Sequence, residues 1–342
     1  MIRPIVLNQV TIGIGFTGTP FNARQIASFA KKAEERGVSS FWIAEDYFLR
    51  DAVTLSSCAA FATNNIRICT GVLTPFTRNP VLLAQTSATL NELSKGRIGL
   101  VIGTGERSLI ESMGVNYRSP IASMTESIKM IRTLLNGEEL THSGRVFSAS
   151  KARIGCNPYL DPPKENFIPS PVKIHLAAIG PKMLELSAQL ADGVLLTAGL
   201  SARKVADSQA IVSESLKREA NRPDDFEIAG YILCCYGKPS RRLRRFVADA
   251  VNIWPDNFLA AGISESSIEA ISSAFENGNA DAAHDLVNDN LVNSVAATGS
   301  KRDIERKVEE FVKAGLSHPV LFPFETDVEP ILDLIGDLRQ NK

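Results

Sequence analysis

Short apolar runs alternate with longer amphipathic stretches along this chain. Apolar runs of strand length, bounded by turn residues, read as strands covered on both faces. Eight segments qualify: 11–16, 40–44, 66–70, 98–102, 173–179, 193–197, 227–236 and 319–324. A helical pattern follows nearly every one. The stretch 22–36 carries Ile26, Phe29, Ala30 and Ala33 on one face and stops at Gly37. The stretch 119–135 repeats Met124, Ile128, Ile131 and Leu135. The stretch 300–314 opens on Ser300-x-x-Asp303, a capping-box pattern, and carries Ile304, Val308, Phe311 and Val312. Eight βα units with no linker between them predict one (β/α)8 TIM barrel over residues 1–342. A doubly wound sheet with a second domain is the alternative.

Two stretches break the alternation. Residues 137–171 hold Pro158, Pro162, Pro163, Pro169 and Pro171 and cannot form regular helix, so they read as an insertion after the fourth unit. Residues 248–293 are mostly helical, with Trp254-Pro255 near the start. On a barrel such insertions belong to the C-terminal face, as pocket wall or lid.

Composition narrows the picture. The net charge of −1 implies no broad basic surface, so no nucleic-acid partner is expected. The one dense basic run, Arg241–Arg245, reads as a solvated helix face. Five cysteines form no CxxC pair and four histidines are scattered, which argues against a metal site or a disulfide framework. Cys234 and Cys235 lie in an apolar strand and read as buried hydrophobes facing opposite sides. No stretch approaches the roughly 18 apolar residues of a membrane span, and the N-terminus lacks a signal-like pattern. A cytoplasmic protein acting on a small molecule is expected, with no membrane partner.

The most informative stretch is 173–197, which reads as strand, Gly180-Pro181 turn, helix and strand again. Proline suits the first helical position, and the turn aims free amides and Lys182 at the space above a parallel sheet. That is a seat for phosphate, although an empty βα turn looks the same in sequence. Chemistry on a barrel belongs at the C-terminal strand ends. Those ends carry Gly15-Phe16, Glu45-Asp46-Tyr47, Thr70-Gly71-Val72, Gly103-Thr104-Gly105, Gly180-Pro181-Lys182, Thr197-Ala198-Gly199, Tyr236-Gly237 and Phe322–Glu325. Glycine recurs there and lets backbone approach a flat or phosphorylated ligand.

Several segments, in order, resemble the bacterial luciferase-like superfamily, and within it the reductases that use the deazaflavin coenzyme F420. They are SSFWIAEDYF (39–48), IRICTGVLTPFTRNP (66–80), TLNELSKGRIGLVIGTGE (89–106), IGPKMLELSAQLADGVLL (179–196) and ATGSKRDIERKVEEFVKAGLSHPVLFP (297–323). Residues 199–293 are poorly covered. The resemblance implies a non-proline cis peptide at Gly71-Val72, in a bulge behind the middle ring of the cofactor. It implies that Gly15, Asp46, Thr70, Gly71 and Val72 border the ring. It also implies that Gly103, Thr104, Gly105, Gly180, Pro181, Lys182 and Met183 hold the phosphorylated arm. Glu45-Asp46 falls where the family often has Asp-His or Glu-His. Histidine is therefore absent at 46, as it is at Asn79, and Glu45 or Asp46 becomes the candidate proton donor if burial raises its pKa. Phe16, Tyr47, Phe76 and the segment around Trp254 are expected to line the pocket. His142, His175, His284 and His318 read as structural. The implied activity is hydride transfer between F420 and an organic substrate, methylenetetrahydromethanopterin reductase-like. The alternatives are an FMN-dependent monooxygenase and a flavin-binding protein without turnover. Relatives are often dimers or larger, so a homo-oligomer is implied.

Overall fold

The computed structural model describes residues 10–156, 169–197, 199–219 and 225–340. Pro158, Pro162, Pro163 and Ala198 lie outside the described residues. Among the described residues eleven strands form: β1 (Gly13–Phe16), β2 (Ser40–Ile43), β3 (Arg67–Leu73), β4 (Ile98–Ile102), β5 (Leu140–Ser143), β6 (Ser148–Ala152), β7 (Lys173–Ala177), β8 (Gly193–Leu196), β9 (Glu227–Tyr236), β10 (Ala296–Gly299) and β11 (His318–Pro323). Eight of them pair in parallel in the order β1-β2-β3-β4-β7-β8-β9-β11, and β11 pairs with β1. The sheet therefore closes into a barrel whose strands are the eight read from the sequence, shifted by a few residues at their ends.

Two additions modify the barrel. Strand β5 pairs antiparallel with β6 inside the proline-rich insertion, a hairpin that its proline pattern does not predict. Strand β10 pairs with residues 233–236 of β9, on the edge that β8 occupies along residues 227–230. β9 is ten residues long and outlasts β8, so the rim gains an extra strand there.

The outer face of the cylinder packs on its helices through Ile14, Phe41, Ile68, Leu100, Ile174 and others. Phe16 belongs to this layer. It stacks on Phe41 at 5.0 Å and meets Phe21 and Phe29, so it is not a pocket residue as expected. Cys234 also faces this layer while Cys235 faces the interior, as strand alternation requires.

The interior is polar at its N-terminal end. Arg67 donates to both Glu227 oxygens at 2.9 and 2.7 Å, and His175 Nε2 lies 3.0 Å from Glu227 Oε1. Ser40 Oγ shares a hydrogen bond with His318 Nε2 at 2.6 Å and accepts one from Trp42 Nε1 at 2.7 Å. Small residues make the room: a Cβ on Gly13 would lie 2.5 Å from Ser40 Oγ, and one on Gly99 would lie 3.0 Å from Cys69 Sγ. This network plugs the floor of the barrel and leaves chemistry to the other end.

The motif 89–97 acts from the floor side. Lys95 (φ 57°) and Gly96 (φ 87°) turn the chain after the helix Pro80–Leu93. Arg97 then donates to the carbonyls of Ala60, Thr63, Ile66 and Ser94 at 2.7–3.0 Å. One guanidinium thus closes the carbonyl ends of three chain segments.

Candidate active site

The C-terminal rim is asymmetric. Over β9 and β11 it is roofed by the helices Arg241–Ile253, Pro255–Ala260, Glu265–Glu276, Ala280–Asp285 and Asp289–Val295. Leu243, Val247, Phe258 and Ile268 from this roof join Trp42, Tyr231, Phe322 and Phe324 in one apolar cluster. Trp254 packs against that cluster, which makes the 248–293 insertion a lid. Over β2 and β3 the rim is open. A cavity of about 260 Å³ there is lined by Glu45, Asp46, Tyr47, Thr74, Arg78 and Met113, among others.

Strand β3 shapes this opening. Its pairing with β4 runs Thr70↔Leu100 and then Leu73↔Ile102, so one extra residue is absorbed as a bulge. Gly71 sits there with φ 138°, a conformation that favours glycine. Inner and outer faces alternate through Cys69 and Thr70. The bulge then brings Val72 onto the inner face, where its Cγ1 would lie 2.5 Å from a Cβ on Gly103. A branched side chain is thereby presented at the rim. The expected cis peptide is not formed at Gly71-Val72: among the described residues the cis bond is Thr19-Pro20. The positive φ at Gly71 makes the bulge without it.

Other expectations are redistributed. Thr70 turns outward and donates its hydroxyl to Ser56 Oγ at 2.7 Å, which leaves only its backbone near the rim. The inner side of Gly15 is filled by the Phe322 ring, 2.7 Å from where a Cβ would stand, so this glycine serves packing. Gly103 is likewise tight against Val72 and Ala177. After Gly103-Thr104-Gly105, the short helix Arg107–Ser112 is already capped: Glu106 accepts from the amides of Ser108 and Leu109 at 3.0 and 2.9 Å. An anion would compete there with a resident carboxylate.

The loop after β7 differs. The helix Pro181–Leu190 starts at Gly180 with no side-chain cap, and the space where a Gly180 Cβ would point is open. Met183 N bonds back to the Gly180 carbonyl at 3.1 Å, while Lys182 is exposed. The uncapped N-terminus and the lysine charge together favour an anion.

The β2 loop supplies the titratable groups. Burial pushes the Glu45 carboxyl up, against the hydrogen bond it accepts from Ala52 N at 2.6 Å. Burial also raises Asp46, opposed by the Thr17 hydroxyl and the charge of Arg242. The Tyr47 hydroxyl is buried without a partner and lies where a Cβ on Gly105 would approach it to 2.9 Å. Burial, with the Glu45 charge behind it, keeps that phenol protonated. Asn79 caps the helix Pro80–Leu93 by accepting from Val81 N at 2.9 Å, a structural task. Phe76 packs against Tyr117 with ring centres 5.0 Å apart and planes tilted by 44° beside the opening. Sequence reasoning missed Arg242, whose neighbours in the basic run do form a lid surface. It also missed the floor network, which only closure of the barrel brings together.

A rim with a convex bulge, an uncapped helix N-terminus and partly buried carboxylates can hold a flat ring with an anionic arm. Among the described residues no cluster suits a metal ion, and no helix is long and apolar enough to cross a membrane. Comparison with known proteins agrees with this architecture. The family model described as luciferase-like monooxygenase matches residues 6–318. The chain is 30% identical to a 5,10-methylenetetrahydromethanopterin reductase of Methanolobus tindarius, over 96% of this chain and 98% of the relative. The coenzyme F420-dependent tetrahydromethanopterin reductase structure from Methanopyrus kandleri superposes with a TM-score of 0.84 at 24% identity, covering 97% of this chain and 99% of that one. An F420-dependent secondary alcohol dehydrogenase structure, in complex with an F420-acetone adduct, gives 0.75 at 20% identity, over 96% and 98% of the two chains. The chain belongs to the luciferase-like monooxygenase family.

Proposed function

We propose that this protein is an oxidoreductase that transfers a hydride between coenzyme F420 and a small organic substrate, in the manner of methylenetetrahydromethanopterin reductase. The observation that carries the reading is the uncapped helix start at Gly180-Pro181-Lys182 facing the same rim as the Val72 bulge, in a chain similar over nearly its whole length to proteins named as F420-dependent. The residues present fit such a cofactor. Val72 and the Gly71 backbone would support the ring. The free Tyr47 hydroxyl and the Thr74 side chain offer polar contacts at the cavity wall. Gly180, Lys182 and Met183 would hold the phosphorylated arm, with Thr104 and Gly105 bordering it.

When bound, the deazaflavin supplies or accepts the hydride. The protein orients the ring, excludes water beneath the lid and places a carboxyl group able to give or take up a proton. Asp46 is the candidate for that last task, because it lines the cavity and burial raises its pKa above the ordinary carboxylate value. Glu45 is already committed to Ala52 N and acts as a support for the loop.

Lys182→Glu tests the arm site. It should weaken deazaflavin binding about tenfold, since it replaces a favourable charge at a helix start with a repelled one. Fluorescence titration reads the change. Unchanged affinity would move the phosphate elsewhere.

We also propose that the protein works in the cytoplasm as a homo-oligomer. Its five cysteines are unpaired, as a reducing compartment requires. Phe61 is 84% exposed on the helix Ala52–Ala62, and Leu82 and Leu93 are exposed on the neighbouring helix Pro80–Leu93. A second copy covering this face accounts for them. Sedimentation should give a dimer or larger species, and Phe61→Lys should shift it toward monomer. A monomeric wild-type protein would refute the assembly.

A further inference from the structure

The basic run 241–245 divides its tasks. Arg244 pairs with Asp289 and donates to the Val287 carbonyl, and Arg245 pairs with Asp281, so both tie the lid together. Arg242 turns the other way, into the rim. The helix that carries it starts at Ser240, whose hydroxyl donates to the Phe324 carbonyl at 3.2 Å. Its Nη2 donates to the Thr19 carbonyl at 2.7 Å, and its guanidinium lies 5.3 Å from the centre of the Phe324 ring. The group is therefore clamped in position and plane.

Its Nη1 is buried and has no hydrogen-bond partner. Among the described residues no carboxylate stands within ion-pair distance of it. The carboxylate whose charge it feels is Asp46, and the effect is mutual. Asp46 lines the open cavity, with the Thr17 hydroxyl as its side-chain donor. A dry cation with a spare donor thus faces a partly buried carboxylate across a gap at the rim. Buried donors are rarely left unmade unless something else completes them.

We propose that Arg242 is a specificity-determining residue that donates Nη1 to a neutral oxygen of the substrate, a carbonyl or hydroxyl group seated between it and Asp46. The inference rests on the F420 reading of the rim. A neutral oxygen fits because Asp46 already supplies the negative charge facing the guanidinium, and a second anion would be repelled by it. A hydroxyl there donates to Asp46 while its oxygen accepts from Arg242. A carbonyl accepts from Arg242 alone.

The test uses protein loaded with F420, in three forms: wild type, Arg242→Ala and Arg242→Lys. Acetone and acetate serve as probes, and the absorbance of the bound deazaflavin is the readout. Wild type should show a saturable change with acetone and a weaker response to acetate. Arg242→Ala should weaken the acetone response about tenfold, and Arg242→Lys, which keeps a donor, should recover most of it. Affinity for F420 should be the same in all three, which separates this role from a general loss of fold. The inference is overturned if acetone acts equally on wild type and Arg242→Ala, if it acts on neither, or if acetate is preferred. Failure of the wild type to take up F420 would instead defeat the underlying reading of the rim.

Discussion

Gly71→Ala should abolish deazaflavin binding and lower unfolding stability in urea by roughly 3 kcal/mol or more. A Cβ at this position would run into the Val101 carbonyl oxygen and approach Leu73 N to 2.9 Å. These are backbone atoms of the β3–β4 ladder and cannot rotate away. The φ of 138° is unfavourable for alanine in addition. Relief requires the bulge to be expelled, and that returns Val72 to the outer face. The support for the ring is then lost even in molecules that fold. Gly96→Ala is the matched control: it also has a positive φ, but nothing lies within 4 Å of its added Cβ. It should cost only about 1 kcal/mol and leave binding intact. Equal behaviour of the two variants would remove the special role of the bulge.

Glu227→Ala should destabilise the protein by about 3 kcal/mol, measured by urea unfolding at pH 7. It leaves Arg67 and His175 without their acceptor in the barrel floor. Replacing Arg67 and Glu227 together with Met and Leu should recover most of the loss, because no uncompensated charge remains. The pH dependence follows from the same network. Burial alone would raise the Glu227 pKa. The hydrogen bond from His175 and the Arg67 fork outweigh it and hold the carboxyl far below its usual range. Its contribution is present above the unfolded value near 4.3 and is lost as pH falls through the folded one. His318 is held neutral, its pKa pushed down to about 3 by burial. That contribution is complete above roughly pH 6.5 and is lost between there and about pH 3. Wild-type stability should therefore decline from pH 6.5 downward, and the decline below pH 4.5 should be shallower in Glu227→Ala. A variant as stable as wild type would make the floor network dispensable.

The barrel was legible because its signals are local. Each strand is an apolar run, and each helix has its own start and stop, such as Asn22 with Gln25 or Ser300 with Asp303, both of which form reciprocal caps. The segment 173–197 folds as its pattern dictates. What escaped depends on partners far away in sequence. Thr70 ends its apolar run in the sequence but has Ser56 as its partner, and Phe16 packs with three other phenylalanines on the outer face. Gly15 and Gly103 look like ligand approaches, yet each makes room for a neighbouring side chain. The basic run around Arg242 has the periodicity of a solvated helix. Only the docking of the lid on the β1 loop, through Thr19, turns one of its arginines inward. Glycine and charge in a sequence name the rim. Which of them face a ligand is decided by the closure of the cylinder.

Titration of the apoprotein with F420 and with FMN asks which ring the rim holds. F420 should bind saturably at micromolar concentrations or below, weakened by Lys182→Glu and lost in Gly71→Ala, with FMN bound markedly more weakly. Tighter binding of FMN, or F420 affinity unaffected by both substitutions, would contradict the F420 reading of the rim.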